Sequence, residues 1–281
     1  MTKESRATEG RAVRAWNYAL LTLMSVLILF PIGLLVVIAF KTDAEYMNSS
    51  VLDMPESFAN FENYKIMFEK ANLALAFRNT LVLIVTSAAG SILMGSMIAF
   101  ALARLDLPYK KLFLTLFVLP VFIPTVTTQV SIFSLIKNLS LYNTIYAGML
   151  LYLAADVVQI YLFVQFMNKI PRALDESARI EGASYFRIYR SIIVPQMLPA
   201  VATVLILRTI SVYNDVLMPY LYMPKSTLRT VSTALMNFAT DRGAQWNVMA
   251  AGIVTIMIPT ILLYVFLQRY IVAGMTDGSV K

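Results

Sequence analysis

The sequence predicts an all-α polytopic membrane protein, and three observations carry the prediction. Of its 281 residues, 59% are hydrophobic and only 14% charged, a balance that suits a soluble globular domain poorly. Six apolar stretches, at roughly 16–40, 79–103, 112–136, 142–168, 196–222 and 247–271, each reach the ~20 residues that a helix needs to cross a bilayer. Between the fourth and fifth lies a polar segment, Ile170 to Pro195, which carries the start and stop signals of two short helices.

The first stretch is too long for a signal-peptide core and no small-x-small cleavage site follows it, so it reads as a retained anchor. Orientation follows from the distribution of Lys and Arg. Fourteen fall in the N-terminal tail (1–15), the 104–111 turn, the 170–195 region with Lys169, and the C-terminus, against eight in the opposite segments, while the acids divide seven and seven. Both termini and the polar segment are therefore expected in the cytoplasm. The formal charge of +7 is thus accounted for by membrane topology, and nucleic-acid binding is excluded. Segment 41–78 is too polar to span; it should lie outside, with a helical stretch starting near Asn60.

The polar segment is laid out as a helix–turn–helix. Pro171 suits the start of a helix, where its missing N–H costs nothing, and Asp175 and Glu176 sit near that positive end. Gly182 can take the left-handed conformation that ends a helix, and Ser184 can cap the next. Tyr185, Phe186, Ile188, Tyr189, Ile192 and Ile193 then alternate with Arg187 and Arg190 until Pro195, which should stop the second helix. An organised polar element between two spans reads as a docking surface for a cytoplasmic protein.

Charged groups inside a membrane span are costly and ordinarily face a cavity or a partner. Asp156 with nearby Gln159 in the fourth span, and Arg208, Asn214 and Asp215 in the fifth, are candidates for lining a solute path; Gln129 in the third is another. Two readings stay open for Asp156 and Arg208, a path-lining pair or an ion pair that locks helices. For Asn214 and Asp215 the alternatives are the path or a position at the outer end of the span. The chain has no Cys and no His, which excludes disulfides, a catalytic cysteine and a Ser-His-Asp triad. Gly90 and Gly95 have the spacing of a phosphate loop, but Ser96 and Met97 follow where Lys is needed, and the stretch is apolar. No nucleotide is bound there.

Glu176-Ser177-Ala178, Gly182 six residues after the Glu, and Ile192-x-Val194-Pro195 resemble the EAA loop of ABC-importer permeases, with Ser177 and Val194 replacing Ala and Leu. Phe77-Arg78-Asn79-Thr80-Leu81 resembles the F-x-N-[ST]-L that opens the permease core. Tyr213-Asn214-Asp215 is similar to W-N-D of the following span, with Tyr for Trp. The tail from Arg269-Tyr270 through Gly274-Met275-Thr276 to Val280-Lys281 resembles the ending of carbohydrate-type permeases.

The resemblance implies a single permease domain over 16–281, with its core at 77–271 and the EAA-type loop at 170–195. It also implies a second permease subunit, two ATP-binding subunits that carry the ATP and Mg, an external solute-binding protein, and a sugar or oligosaccharide substrate. This chain would bind no cofactor and perform no chemistry. The first loop helix would sit in a cleft of an ATP-binding subunit. Leu174, Ala178 and Ile180 would then give apolar contact, Glu176 would meet a basic group, Ser177 and Gly182 would keep the surface free of bulk, and Pro195 would close the motif. A secondary transporter or channel would need no such loop. An intramembrane aspartyl enzyme using Asp156 and Asp215 would need them paired.

Overall fold

In the computed structural model, residues 3–236 and 245–276 are described, and every regular element among them is helical. Among the described residues three helices are long and apolar enough to cross a membrane, or up to six if each of three sharply bent helix pairs counts as one span. Residues 277–281 of the C-terminal motif lie outside the described residues. The chain divides into two compact units, 1–72 with 235–258, and 73–234 with 259–281.

In the first unit, α1 (Lys3–Phe40) runs as one helix through the segment expected to be a tail. Its end, Leu35, Ile38 and Ala39, packs with Tyr64, Ala250, Ala251 and Val254. A polar knot closes that junction. Asn63 donates its side-chain amide to the carbonyls of Ala39 (2.9 Å) and Lys41 (2.7 Å), and Asn247 donates to Lys41 (3.2 Å). The Lys41 ammonium, fully buried, donates to Ser49 Oγ (2.9 Å) and the Ser50 carbonyl (2.6 Å). Two short helices follow, α2 (Asp43–Asn48) and α3 (Glu62–Lys70), the second close to the helical stretch expected from Asn60. At α2, Thr42 and Glu45 form a reciprocal capping box. Glu45 Oε1 also accepts from the Glu56 N–H at 2.7 Å. These amide donors hold the Glu45 carboxylate below its ordinary range.

The second unit is organised on α4 (Leu73–Arg104), which packs against α7 (Ile145–Leu153), α8 (Val157–Lys169) and α12 (Leu198–Asn214). Inside a bilayer helices gain little from apolar burial, so close approach and hydrogen bonds hold them together. Between Ser87 and Ala99 the buried face of α4 is accordingly built from small residues, Ser87, Ala88, Ser91, Gly95, Ser96 and Ala99, with larger ones such as Leu83 and Phe100 to either side. Gly90 and Gly95 sit where neighbours approach closely: a Cβ at Gly90 would lie 2.1 Å from Leu153 Cδ1 and require that side chain to move, and one at Gly95 would lie 3.0 Å from Gln159 Nε2. The phosphate-loop spacing of these glycines is thus a helix-packing surface.

Three of the expected spans are broken. The third becomes α5 (Lys110–Val118), a 3-10 turn (Leu119–Phe122) and α6 (Thr125–Asn138), bent by 101°. The break falls at Ile123, whose extended ψ of 118° is the conformation forced on a residue before proline, here Pro124. The fourth is α7 and α8, bent by 44° around Ala154–Asp156 without any proline. The fifth, α12, meets the last helix of the polar loop at a 75° bend between Gln196 and Leu198, and is itself interrupted at Asp215, beyond which α13 (Leu217–Tyr222) begins.

The segment after α13 is pinned to the start of α4. Asn79 donates to the carbonyls of Thr227 (2.9 Å) and Arg229 (3.0 Å), and the Val231 N–H donates to Thr80 Oγ1 (3.0 Å). The Asn and Thr of the Phe77–Leu81 motif therefore hold a turn in place.

Candidate functional site

The polar loop forms a helix–turn–helix at 172–196. Pro171 is the residue before α9 (Arg172–Ile180), in an extended cap conformation. At the other end the Gly182 N–H donates to the Arg179 carbonyl (3.0 Å) and the Ala183 N–H to the Ala178 carbonyl (2.9 Å). This pair of bonds around a glycine with φ of +82° is a Schellman cap. A Cβ on Gly182 would meet no atom within 4 Å, so the glycine is present for its backbone conformation. Ser184 Oγ then accepts from the Arg187 N–H (3.3 Å) and starts α10 (Tyr185–Ile188).

This second helix ends at Gln196, one residue past Pro195 rather than before it. The chain passes through a π turn (Tyr189–Ile193) into α11 (Val194–Gln196), with Pro195 in the first turn of that last piece. A proline has no N–H to give Ser191 and crowds its carbonyl. The wider π turn takes up that misfit.

The faces of α9 divide sharply. Ala178 is buried in a cluster with Ile188, Ile193 and Phe163, so its methyl faces this chain's own core rather than outward. The apolar contact expected of it is corrected on that ground. At 88% exposure Ile180 points outward, alongside the exposed Glu176 and Ser177, while Leu174, one turn before Ala178, is half-exposed. Ser177 Oγ donates back to the Ala173 carbonyl at 2.8 Å.

Behind that outward face two arginines tie α9 to α4. Arg104 Nε lies 2.8 Å from Asp175 Oδ2, both side chains largely buried, and its guanidinium donates to the Ile170 carbonyl at 2.8 Å. Arg172 returns the contact, donating to the Ala103 carbonyl at 3.2 Å. The Arg104–Asp175 contact is ionic, without hydrogen-bond angles, and Asp175 Oδ1 has no hydrogen-bond partner among the described residues. A cavity of about 150 Å³ beside them is lined by three cations, Arg104, Arg172 and Arg179, and three anions, Asp106, Asp175 and Glu176.

The charged residues of the fourth and fifth spans meet at the break between α7 and α8. Asp156 caps α8, Oδ1 accepting from the Gln159 N–H at 2.7 Å. Arg208 of α12 reaches the same break. Its Nε donates to Ser87 Oγ (2.7 Å), its terminal nitrogen to the carbonyls of Ala154 (3.1 Å) and Tyr152, and the guanidinium lies 3.9 Å from Asp156. The last carbonyls of a helix lack partners and carry its negative end. Arg208 supplies donors and a positive charge to those of α7, a requirement wherever irregular backbone lies at membrane depth.

Gln159, 3% exposed, has neither side-chain amide atom hydrogen-bonded among the described residues. Asp156, Gln159, Arg208 and Ser211 together line a cavity of about 220 Å³, otherwise apolar.

The remaining candidates do not line this cavity. Gln129 is buried, accepting from the Tyr222 hydroxyl at 2.7 Å and donating to Thr125 at 2.9 Å. Asp215 accepts from Tyr152 Oη (2.9 Å) and caps α13 through the Met218 N–H (3.1 Å). Asn214 is exposed at the end of α12. Three residues that composition and spacing did not single out, Ser87, Tyr152 and Arg104, carry more of these sites than Gln129 or Asn214. Ser87 and Tyr152 gave no sequence signal; Arg104 gave one, a basic residue in the last turn of a long apolar helix.

Broken apolar spans and a two-helix polar loop tied to a long apolar helix describe a polytopic membrane protein. The chain belongs to the family described as binding-protein-dependent transport system inner membrane component, which matches residues 91–277. It is 30% identical, over 96% of this chain and 99% of the other, to a probable starch degradation products transport system permease protein of Thermoanaerobacterium thermosulfurigenes. It is 27% identical, over 96% and 99%, to the melibiose/raffinose/stachyose import permease protein of Bacillus subtilis (strain 168). Its fold is similar, with a TM-score of 0.81 at 19% identity and over 96% and 98% of the two chains, to a chain of a bacterial ABC transporter involved in the import of the acidic polysaccharide alginate.

Proposed function

We propose that this chain is one permease subunit of an ATP-driven importer for a sugar or oligosaccharide, embedded as six spans in a prokaryotic inner membrane. In this reading both termini and the 170–195 loop face the cytoplasm, as the excess of Lys and Arg there supports. A second permease completes the path, an external binding protein delivers the solute, and two ATP-binding subunits hold ATP and Mg. The saccharide substrate rests on the names of the relatives. The observation that carries coupling is the outward face of α9, where Glu176, Ser177 and Ile180 stand exposed on a helix whose far side is anchored by Ala178 and Asp175, with the half-exposed Leu174 one turn before Ala178.

Closure of the ATP-binding pair moves the two docking loops together and rocks the bundle between inward-open and outward-open states. The break at Ala154–Asp156 gives this subunit's contribution to the path: a carboxylate, a buried amide and a guanidinium around one cavity. Such groups exchange hydrogen bonds with hydroxyl-rich solutes, and Asp156 and Arg208 together contribute no net charge.

The test is affinity purification from the native membrane followed by mass spectrometry. Recovery of a second permease and an ATP-binding subunit is expected, with ATP-dependent sugar uptake in proteoliposomes. Recovery of the chain alone, moving solute without ATP, overturns the proposal in favour of a secondary transporter.

A further inference from the structure

We infer that Arg104 and Asp175 form a transmission pair, positioning residues through which movement of the docking helix reaches the polar break in the membrane. The inference rests on the reading of α9 as an ATPase-docking helix and goes beyond it, since neither residue belongs to the docking face. Three observations support it. The ion pair is short and largely shielded, 2.8 Å with side-chain exposures of 5% and 14%. It is one strand of a reciprocal tie: Arg104 also holds the Ile170 carbonyl ahead of α9, while Arg172 of α9 holds the Ala103 carbonyl at the end of α4. Finally, α4 continues unbroken from Arg104 to Ser87, about 26 Å at 1.5 Å per residue. There Ser87 Oγ accepts from Arg208 Nε at 2.7 Å and donates to the Tyr152 carbonyl at 2.9 Å. One rigid helix therefore joins the loop to the residues around the α7–α8 break.

The chemistry suits transmission better than stability. A shielded ion pair adds little over apolar residues of the same size, whereas a single survivor is strongly destabilising. What the pair supplies is register between two elements. Arginine serves this because its guanidinium can donate to the Ile170 carbonyl through one nitrogen while its spread charge stands against Asp175; a lysine ammonium offers one compact charge.

Spatial continuity alone does not establish coupling, so the test separates association, hydrolysis and uptake in the reconstituted complete transporter. The informative variant is Arg104→Gln with Asp175→Asn, which leaves no unpaired buried charge; Asp175→Asn and Arg104→Lys accompany it. The double variant should co-purify with its ATP-binding subunits at the unmodified ratio and hydrolyse ATP. Its uptake per ATP should fall about tenfold, the usual scale of coupling between sites, and Arg104→Lys should recover only part of the coupling. Normal uptake per ATP in the double variant overturns the inference and leaves a purely structural pair. Loss of ATP-binding subunits from the double variant also overturns it, by placing the pair in the docking contact. If the unmodified chain brings down no ATP-binding subunit, the docking reading itself fails and takes the inference with it.

Discussion

Tyr152 donates its hydroxyl to Asp215 across 2.9 Å while its carbonyl accepts from Arg208. One residue at the end of α7 thus ties together the two charged groups of the fifth span, which are seven positions apart in sequence. The side chain secures the start of α13 and the backbone secures the α7–α8 break. Tyr152→Phe removes only the first of these. A hydrogen bond to a charged acceptor is worth about 1.5–3 kcal/mol, so the variant should melt several degrees lower in detergent while still inserting. An unchanged melting temperature would show that Asp215 is held by the Met218 N–H alone.

Asp156 acts first as a helix cap. Asparagine caps a helix nearly as well as aspartate, so Asp156→Asn should assemble and co-purify normally. Its removal of one charge from the cavity shared with Arg208 and Gln159 should shift the apparent KM for sugar uptake several-fold. Loss of the protein from the membrane would instead show that the 3.9 Å charge pair is needed to fold.

Gly182 and its surroundings separate space from conformation. With no atom within 4 Å of a Cβ, but φ at +82°, Gly182→Ala meets no clash and pays for left-handed backbone, about 1–2 kcal/mol. Limited proteolysis should cut the 180–184 turn faster in that variant. Gly182→Asn, which tolerates this region better, should be cut at an intermediate rate.

The two faces of α9 predict opposite phenotypes. Ile180→Asp changes a side chain that is 88% exposed, so melting should be unaltered while ATP-binding subunits are lost in co-purification. Ala178→Leu forces bulk into a packed cluster, at a cost of about 1–3 kcal/mol, and should lower thermal stability before it affects docking. Reversal of these outcomes would place the docking face on the other side of the helix.

Much of this architecture is legible in the residues because it rests on local rules. The Gly182 cap, the Ser184 cap and the start of α9 follow from backbone preferences that act within four residues. The breaks were harder to see. Pro124 announces one, but the break at Ala154–Asp156 carries no proline and lies within an apolar run. Its signal is Asp156 followed three residues later by Gln159, the pattern of a helix start, which reads as two membrane polar residues when hydropathy is considered first. Ala178 belongs to a motif that suggests a surface, yet which side of α9 packs inward depends on Ile188 and Ile193 arriving from the next helix. Arg104 and Asp175 are seventy-one positions apart in the chain, and no local pattern pairs them.

The capping box at Thr42 gives a pH signature on the segment outside the spans. Glu45 accepts from the N–H groups of Thr42 (2.6 Å) and Glu56 (2.7 Å), and these bonds favour the carboxylate. Its folded pKa therefore lies below the ordinary value of 4.5. A depressed carboxylate contributes stability in full above its unfolded pKa and loses it as the pH falls through that value towards the folded one. Local stability of the 42–56 segment should thus be flat from neutral pH down to about 5 and decline below it. Hydrogen exchange at the Thr42 and Glu56 amides, corrected for intrinsic rates, reads this directly. Glu45→Gln should show weaker protection at neutral pH and no decline in the acid range, since the amide accepts more weakly and does not titrate. A decline of the same size in Glu45→Gln would assign the pH dependence to another group.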